Sequence, residues 1–115
     1  MNKDYFSINN LSHSCSYEKK EITFLEWEDI GIELEKLNYF TDALFAFNKG
    51  LKEKPSYIPL LLDKSRILQK LNKIDDSIDI YNYILKIDPN NNDSLLNLGN
   101  LYFMKKDYLN SINCY

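Results

Sequence analysis

Apolar residues recur along this chain at helical spacing. Trp27, Ile30 and Leu34 fall at i, i+3 and i+7, a stripe along one face of a helix. Tyr81, Ile84, Leu85 and Ile87 show a similar pattern further on. Short polar breaks separate the segments at Asn38-Tyr39, Asn72-Lys73 and Lys105-Lys106-Asp107. Pro55 and Pro89 stand where a proline ends a helix, and Pro59 stands in the first turn of the next, where its missing N–H leaves no bond unmade. Thr41 and Asp75 are expected as N-caps of second helices, and Asn92 or Asp93 as the N-cap of a later first helix.

The pattern repeats every 34 residues. Trp27 leads to Leu61 and Leu95, Gly31 to Ser65 and Gly99, and Leu34 to Leu68 and Tyr102. On the second helix Ala43 leads to Ser77 and Ser111, Phe47 to Tyr81 and Tyr115, and Pro55 to Pro89. Large, tiny, aromatic and proline classes all match in one register. The physical reading is a helical hairpin: Gly31 and Ala43 let two helices approach closely, and Phe47 fills the space one turn later.

These residues resemble the tetratricopeptide repeat: Trp27-x2-Ile30-Gly31-x2-Leu34, then Ala43-x3-Phe47, then Pro55. The third unit reads Leu95-x2-Leu98-Gly99-x2-Tyr102, then Tyr108, Ser111 and Tyr115. The middle unit is the least regular, because Ser65 replaces the glycine and Lys64 interrupts the stripe. The resemblance implies an all-α, right-handed superhelical solenoid of stacked antiparallel helix pairs, with about two and a half to three repeats. Repeat one is expected over 24–57, repeat two over 58–91 and an incomplete repeat three over 92–115, within an array spanning 23–115. Residues 1–22 read as a flexible or irregular lead-in, of which 17–20 are candidates to extend the first helix backwards. Natural arrays usually close with a polar capping helix. Its absence before Tyr115 leads us to expect either a piece of a longer protein or an end covered by something else.

Composition narrows the function classes. The 115 residues carry 14 Lys+Arg against 17 Asp+Glu, a formal net charge of -3. No basic stripe marks a nucleic-acid binder, and no polybasic segment marks a membrane surface. With two cysteines, Cys15 and Cys114, and one histidine, His13, the chain has neither a disulfide framework nor four zinc ligands. No apolar run is long enough for a secretory signal or a membrane span, so a reduced cytoplasmic protein is expected. Catalysis is not expected: His13 lies outside the array, and the three glycines form no phosphate loop. No cofactor and no metal are implied.

The resemblance implies a protein–protein interaction scaffold that binds a peptide or protein segment in a concave groove lined by first helices. Helical phase gives the groove candidates. From the first unit they are Glu28, Asp29, Ile32 and Glu35, with Leu25 beside them. From the second they are Leu62, Asp63, Arg66 and Gln69, and from the third Leu96, Asn97, Asn100 and Phe103. Asn97 and Asn100 are placed to bond a peptide backbone. Chaperone adaptors of the family hold a C-terminal carboxylate with cationic and amide side chains. Here those positions carry Glu28, Ile32, Asp63, Asp93 and Asn97, whose three carboxylates would repel such a ligand. A basic or apolar–basic partner suits this face better, although an acidic face is also ordinary solvated helix. Two alternatives stay open: a structural or regulatory repeat segment whose effector domain lies beyond Tyr115, and self-association through the uncapped end.

Overall fold

The computed structural model describes residues 21–105. They form five helices in chain order: α1 (Phe24–Lys36), α2 (Phe40–Glu53), α3 (Ile58–Lys70), α4 (Ile74–Ile87) and α5 (Asn92–Met104). Successive helices pack on one another, α1 with α2 and α3 with α4 as hairpins, and α3 and α5 each stacked on the preceding hairpin. The architecture is all-helical, with no strand among the described residues. Tyr17–Lys20 lie outside the described residues. Helix α1 itself begins at Phe24, closed by a capping box: the Thr23 hydroxyl accepts from the Glu26 N–H, and the Glu26 carboxylate accepts from the Thr23 N–H.

The turns inside the hairpins explain why the expected second-helix caps are wrong. Asn38 and Asn72 adopt left-handed φ values of 65° and 62°. Around Asn38, the Tyr39 N–H reaches the Leu34 carbonyl and the Asn38 N–H reaches that of Glu35; Lys73 and Asn72 repeat this pattern on Leu68 and Gln69. This is a Schellman closure with asparagine in the position glycine usually takes. The residue that completes it, Tyr39 or Lys73, is also the N-cap of the next helix, and it makes no side-chain cap. Thr41 and Asp75 therefore sit inside the first turn of α2 and α4 rather than before it. In the third unit the cap is Asn91, whose side chain accepts from the Ser94 N–H, and not Asn92 or Asp93.

Two apolar clusters run through the stack. Ala43, Phe47, Leu60 and Ile67 form the first; Leu61, Ile78, Tyr81, Ile84, Leu98 and Leu101 form the second. Adjacent residues Leu60 and Leu61 belong to different clusters, so α3 joins the two hairpins through two faces about 100° apart on one helix. Gly31 lies under Phe47: a Cβ there would come within 2.6 Å of the ring's Cδ1. In the second hairpin Ser65 and Ser77 occupy the tiny positions. Both are fully buried, and the Ser77 hydroxyl donates to the Ser65 carbonyl at 3.0 Å, tying α4 to α3. Ile30, expected on the packing stripe, is 36% exposed, because no described helix covers that side of α1.

Candidate functional site

Three first helices, α1, α3 and α5, carry the twelve groove candidates, and the structure gives them unlike surroundings. Asp29, Leu96, Asn100 and Phe103 are exposed, as is Leu25. Ile32 is half-buried and packs against the first apolar cluster, and Leu62 against the second, so each is partly a core residue. Glu28, Glu35, Arg66, Gln69 and Asn97 are half-buried, and Asp63 is only 8% exposed.

An ionic network crosses from α1 to α3. Arg66 grips Glu35 through two nitrogens at 2.7 Å each, donates to Asp63 Oδ1 at 3.0 Å, and leaves Glu35 Oε2 to accept from Lys70 at 2.9 Å as well. Helical phase alone places Glu35 and Arg66 as separate groove candidates. The fold instead commits them to each other across 31 residues of chain. The Arg66 hydrogen bond, working against the cost of burial and helped by Lys70, lowers the Glu35 carboxyl to about 2.

Glu28 has the opposite environment. Burial first, then the hydrogen bond and charge of Asp63, and last the charge of Asp29, push its carboxyl up to about 7. Asp63 Oδ2 is buried and has no hydrogen-bond donor among the described residues. The two carboxyls face each other between α1 and α3. Adjacent acids such as Glu28 and Asp29 diverge on a helix, whereas this pair meets across two helices. The 34-residue phase is the signal that could have found it, since it brings the first-helix faces of neighbouring units together.

Beside this network a cleft of about 270 Å3 opens between α3, α4 and α5, lined by Leu62, Arg66, Gln69, Tyr81, Asp93 and Asn97. Tyr81 is the aromatic counterpart of Phe47. Its ring belongs to the core, while its hydroxyl reaches the cleft and accepts from Gln69 Nε2 at 3.0 Å. Burial outweighs that bond and raises the phenol above its ordinary value. Asn97, expected to bond a ligand backbone, already donates one amide N–H to the Asp93 carbonyl at 2.8 Å, so its second N–H and its carbonyl oxygen are what it offers. Among the described residues no helix is long and apolar enough to cross a membrane, and no group of three or more His, Cys, Asp or Glu is placed to hold a metal ion.

Residues 58–91 match the family model of the tetratricopeptide repeat. This segment is a tetratricopeptide repeat. It is the unit in which Ser65 stands for the family's glycine, and the Ser77–Ser65 bond shows how that pair keeps the close approach. Over 89 residues the chain is 29% identical to the general transcriptional corepressor ssn6 of Schizosaccharomyces pombe, covering 77% of this chain but 8% of that protein. Among solved structures it is similar to MamA 41-end from Desulfovibrio magneticus RS-1, with a TM-score of 0.72 and 19% identity over 96% of this chain and 61% of that one. A second MamA crystal structure superposes with a TM-score of 0.70 and 21% identity, over 79% of this chain and 51% of the other. The repeats thus span a small part of the corepressor and about half to three-fifths of the MamA chains. At these identities the MamA likeness is one of fold.

Proposed function

We propose that the repeats form a protein-interaction scaffold, without chemistry of its own, whose first-helix face receives an extended segment of alternating apolar and basic residues. The observation that carries this reading is the cleft between α3, α4 and α5, where an apolar wall (Leu62) meets acceptor groups (Asp93, Asn97). Leu96, 56% exposed on the same helix as Asn97, supplies apolar surface next to it. Glu28, Asp29 and Asp63 add acidic groups to the same face, Asp63 already paired with Arg66 through Oδ1. An acidic C-terminus would meet these carboxylates and be repelled.

Immobilised peptides of alternating leucine and arginine, compared with leucine–glutamate peptides of the same length, test the reading. Leu96→Glu should weaken leucine–arginine capture at least tenfold, while Asn82→Glu, the same charge change on α4, should leave it intact. Equal capture of both peptides, or equal loss in both variants, would reject it. A second reading has the array as a positioning segment of a larger protein, as the small share of the corepressor that it matches suggests. An intact mass from native cells well above 13.6 kDa would support that reading.

A further inference from the structure

The first hairpin leaves apolar surface open at a place that the second hairpin covers. Trp27 and Leu61 are equivalent by the 34-residue period, yet Leu61 is 4% exposed, whereas Trp27 is half-buried and its neighbours Ile22, Ile30 and Phe45 are exposed. The Trp27 ring meets Phe45 edge-on at 6.3 Å, and Lys49 Nζ stands 5.4 Å from the centre of the Phe45 ring. Beside them a cleft of about 410 Å3 is walled by Ile22, Trp27, Lys49 and Lys52. One period later the same place is closed. Ser56 and Tyr83, the counterparts of Ile22 and Lys49, join their hydroxyls at 3.1 Å, and Leu51 of α2 packs against the cluster that holds Leu61. Among the described residues, nothing stands to α1 as α2 stands to α3.

The period assigns that missing neighbour. One period before 40–53 lie residues 6–19 of the same chain, and the size classes agree. Phe6 stands for Phe40, Leu11 for Phe45, Ser12 for Ala46, Ser16 for Gly50 and Tyr17 for Leu51. Where the segment departs, the opposing helix departs with it. Phe47, Leu60 and Ile67 share one apolar cluster across α2 and α3. One period back they become His13, Glu26 and Glu33, an imidazole donor opposite two carboxylates. An apolar set has been exchanged for a complementary polar set on both sides of the junction at once. Connectivity favours the same occupant. Glu21 itself lines the cleft, so the segment ends at the surface it would cover, and such a tether holds it there at high effective concentration.

We propose that residues 6–19 cover the open side of α1 in the place that α2 holds for the second hairpin, with Tyr17 against Trp27 and the cleft, and His13 opposite Glu26 and Glu33. Covering this end of the array does not depend on what the first-helix face binds.

Cys15 and Trp27 supply the test in the intact chain. By the period, Cys15 takes the place of exposed Lys49, so a label there points away from the contact. A nitroxide on Cys15, in a Cys114→Ser background, should broaden the amide signals of Trp27, Ile30 and Phe45 and spare those of Leu98 and Leu101. Trp27 is the only tryptophan, and replacing the two aromatic anchors by Phe6→Ser and Tyr17→Ser should raise its quenching by acrylamide about twofold. Nitroxide-bearing chains mixed with isotope-labelled chains that carry no nitroxide should give no broadening, as an internal cover requires. Broadening in that mixture would assign the face to a second copy and overturn the proposal. Undisturbed Trp27 and Ile30 signals in the singly labelled chain, or Trp27 quenching indifferent to the two serines, would overturn it as well.

Discussion

Gly50 of α2 lies against Leu60 of α3 so closely that a Cβ on the glycine would fall 2.8 Å from the leucine Cδ1. One period later the same two positions hold Ile84 and Ser94, both fully buried. Small against large in one junction becomes large against small in the next. The stack therefore keeps its spacing by exchanging volume across the interface rather than by conserving either residue type.

This relationship predicts coupling. Gly50→Ala should destabilise by about 1–3 kcal/mol through overpacking, since its Cβ also meets the Phe24 carbonyl at 3.2 Å. In a Leu60→Ala background the same change should cost at least about 0.5 kcal/mol less. Urea unfolding of the four proteins measures the cycle, and strict additivity would mean the two side chains do not share the space.

Ser94 has the one drawback of the exchange. Its hydroxyl is fully buried and, like Asp63 Oδ2, has no hydrogen-bond partner among the described residues. Removing an unsatisfied hydroxyl relieves its desolvation, so Ser94→Ala should be neutral or stabilising, up to about 1 kcal/mol. A clear loss of stability would show that the hydroxyl is satisfied in solution.

Asparagine at the hairpin turns makes a conformational prediction. Left-handed φ at Asn38 and Asn72 is tolerated by glycine and resisted by β-branched residues. Asn72→Gly should hold or raise the melting temperature, while Asn72→Val should lower stability by about 1–2 kcal/mol. Thermal melts by circular dichroism separate the two.

The pH dependence has two opposed contributions. Glu35, lowered to about 2 by Arg66, stabilises the fold fully above its unfolded value of 4.5 and loses that contribution as pH falls from there towards 2. Screening by the partly exposed Arg66 limits the effect to about 1–2 kcal/mol. Glu28 is raised, so the native state holds a proton that the unfolded chain has released, and stability is lost as pH rises from 4.5 through about 7. Glu35→Gln should therefore be costly at pH 6 and much less so at pH 2.5. Glu28→Gln should gain stability relative to the parent at pH 8 and not at pH 4.

The fold was legible in the sequence because packing leaves a periodic record. Gly31 and Phe47 touch, and size class and spacing single out both. The helix caps were not, because the Schellman turn at Asn38 fixes where α2 starts before any capping side chain is consulted. The face was legible only in outline. Phase placed Glu28, Glu35, Asp63 and Arg66 on first helices, but a single-helix view cannot say that Arg66 binds Glu35, or that Glu28 meets Asp63. Those are inter-repeat distances, fixed by how α1 and α3 stack. Likewise Tyr81 reads as a core aromatic, and its second role, a hydroxyl in the cleft, depends on Gln69 lying across from it.

The central claim is that this first-helix face recognises a basic, apolar segment. The most direct measurement is an amide chemical-shift footprint of the intact chain with the leucine–arginine peptide, and with its leucine–glutamate counterpart as control. Shifts should cluster at Leu62, Gln69, Leu96 and Asn97 with the basic peptide alone. Shifts confined to the exposed sides of α2 and α4, or equal footprints from both peptides, would contradict it.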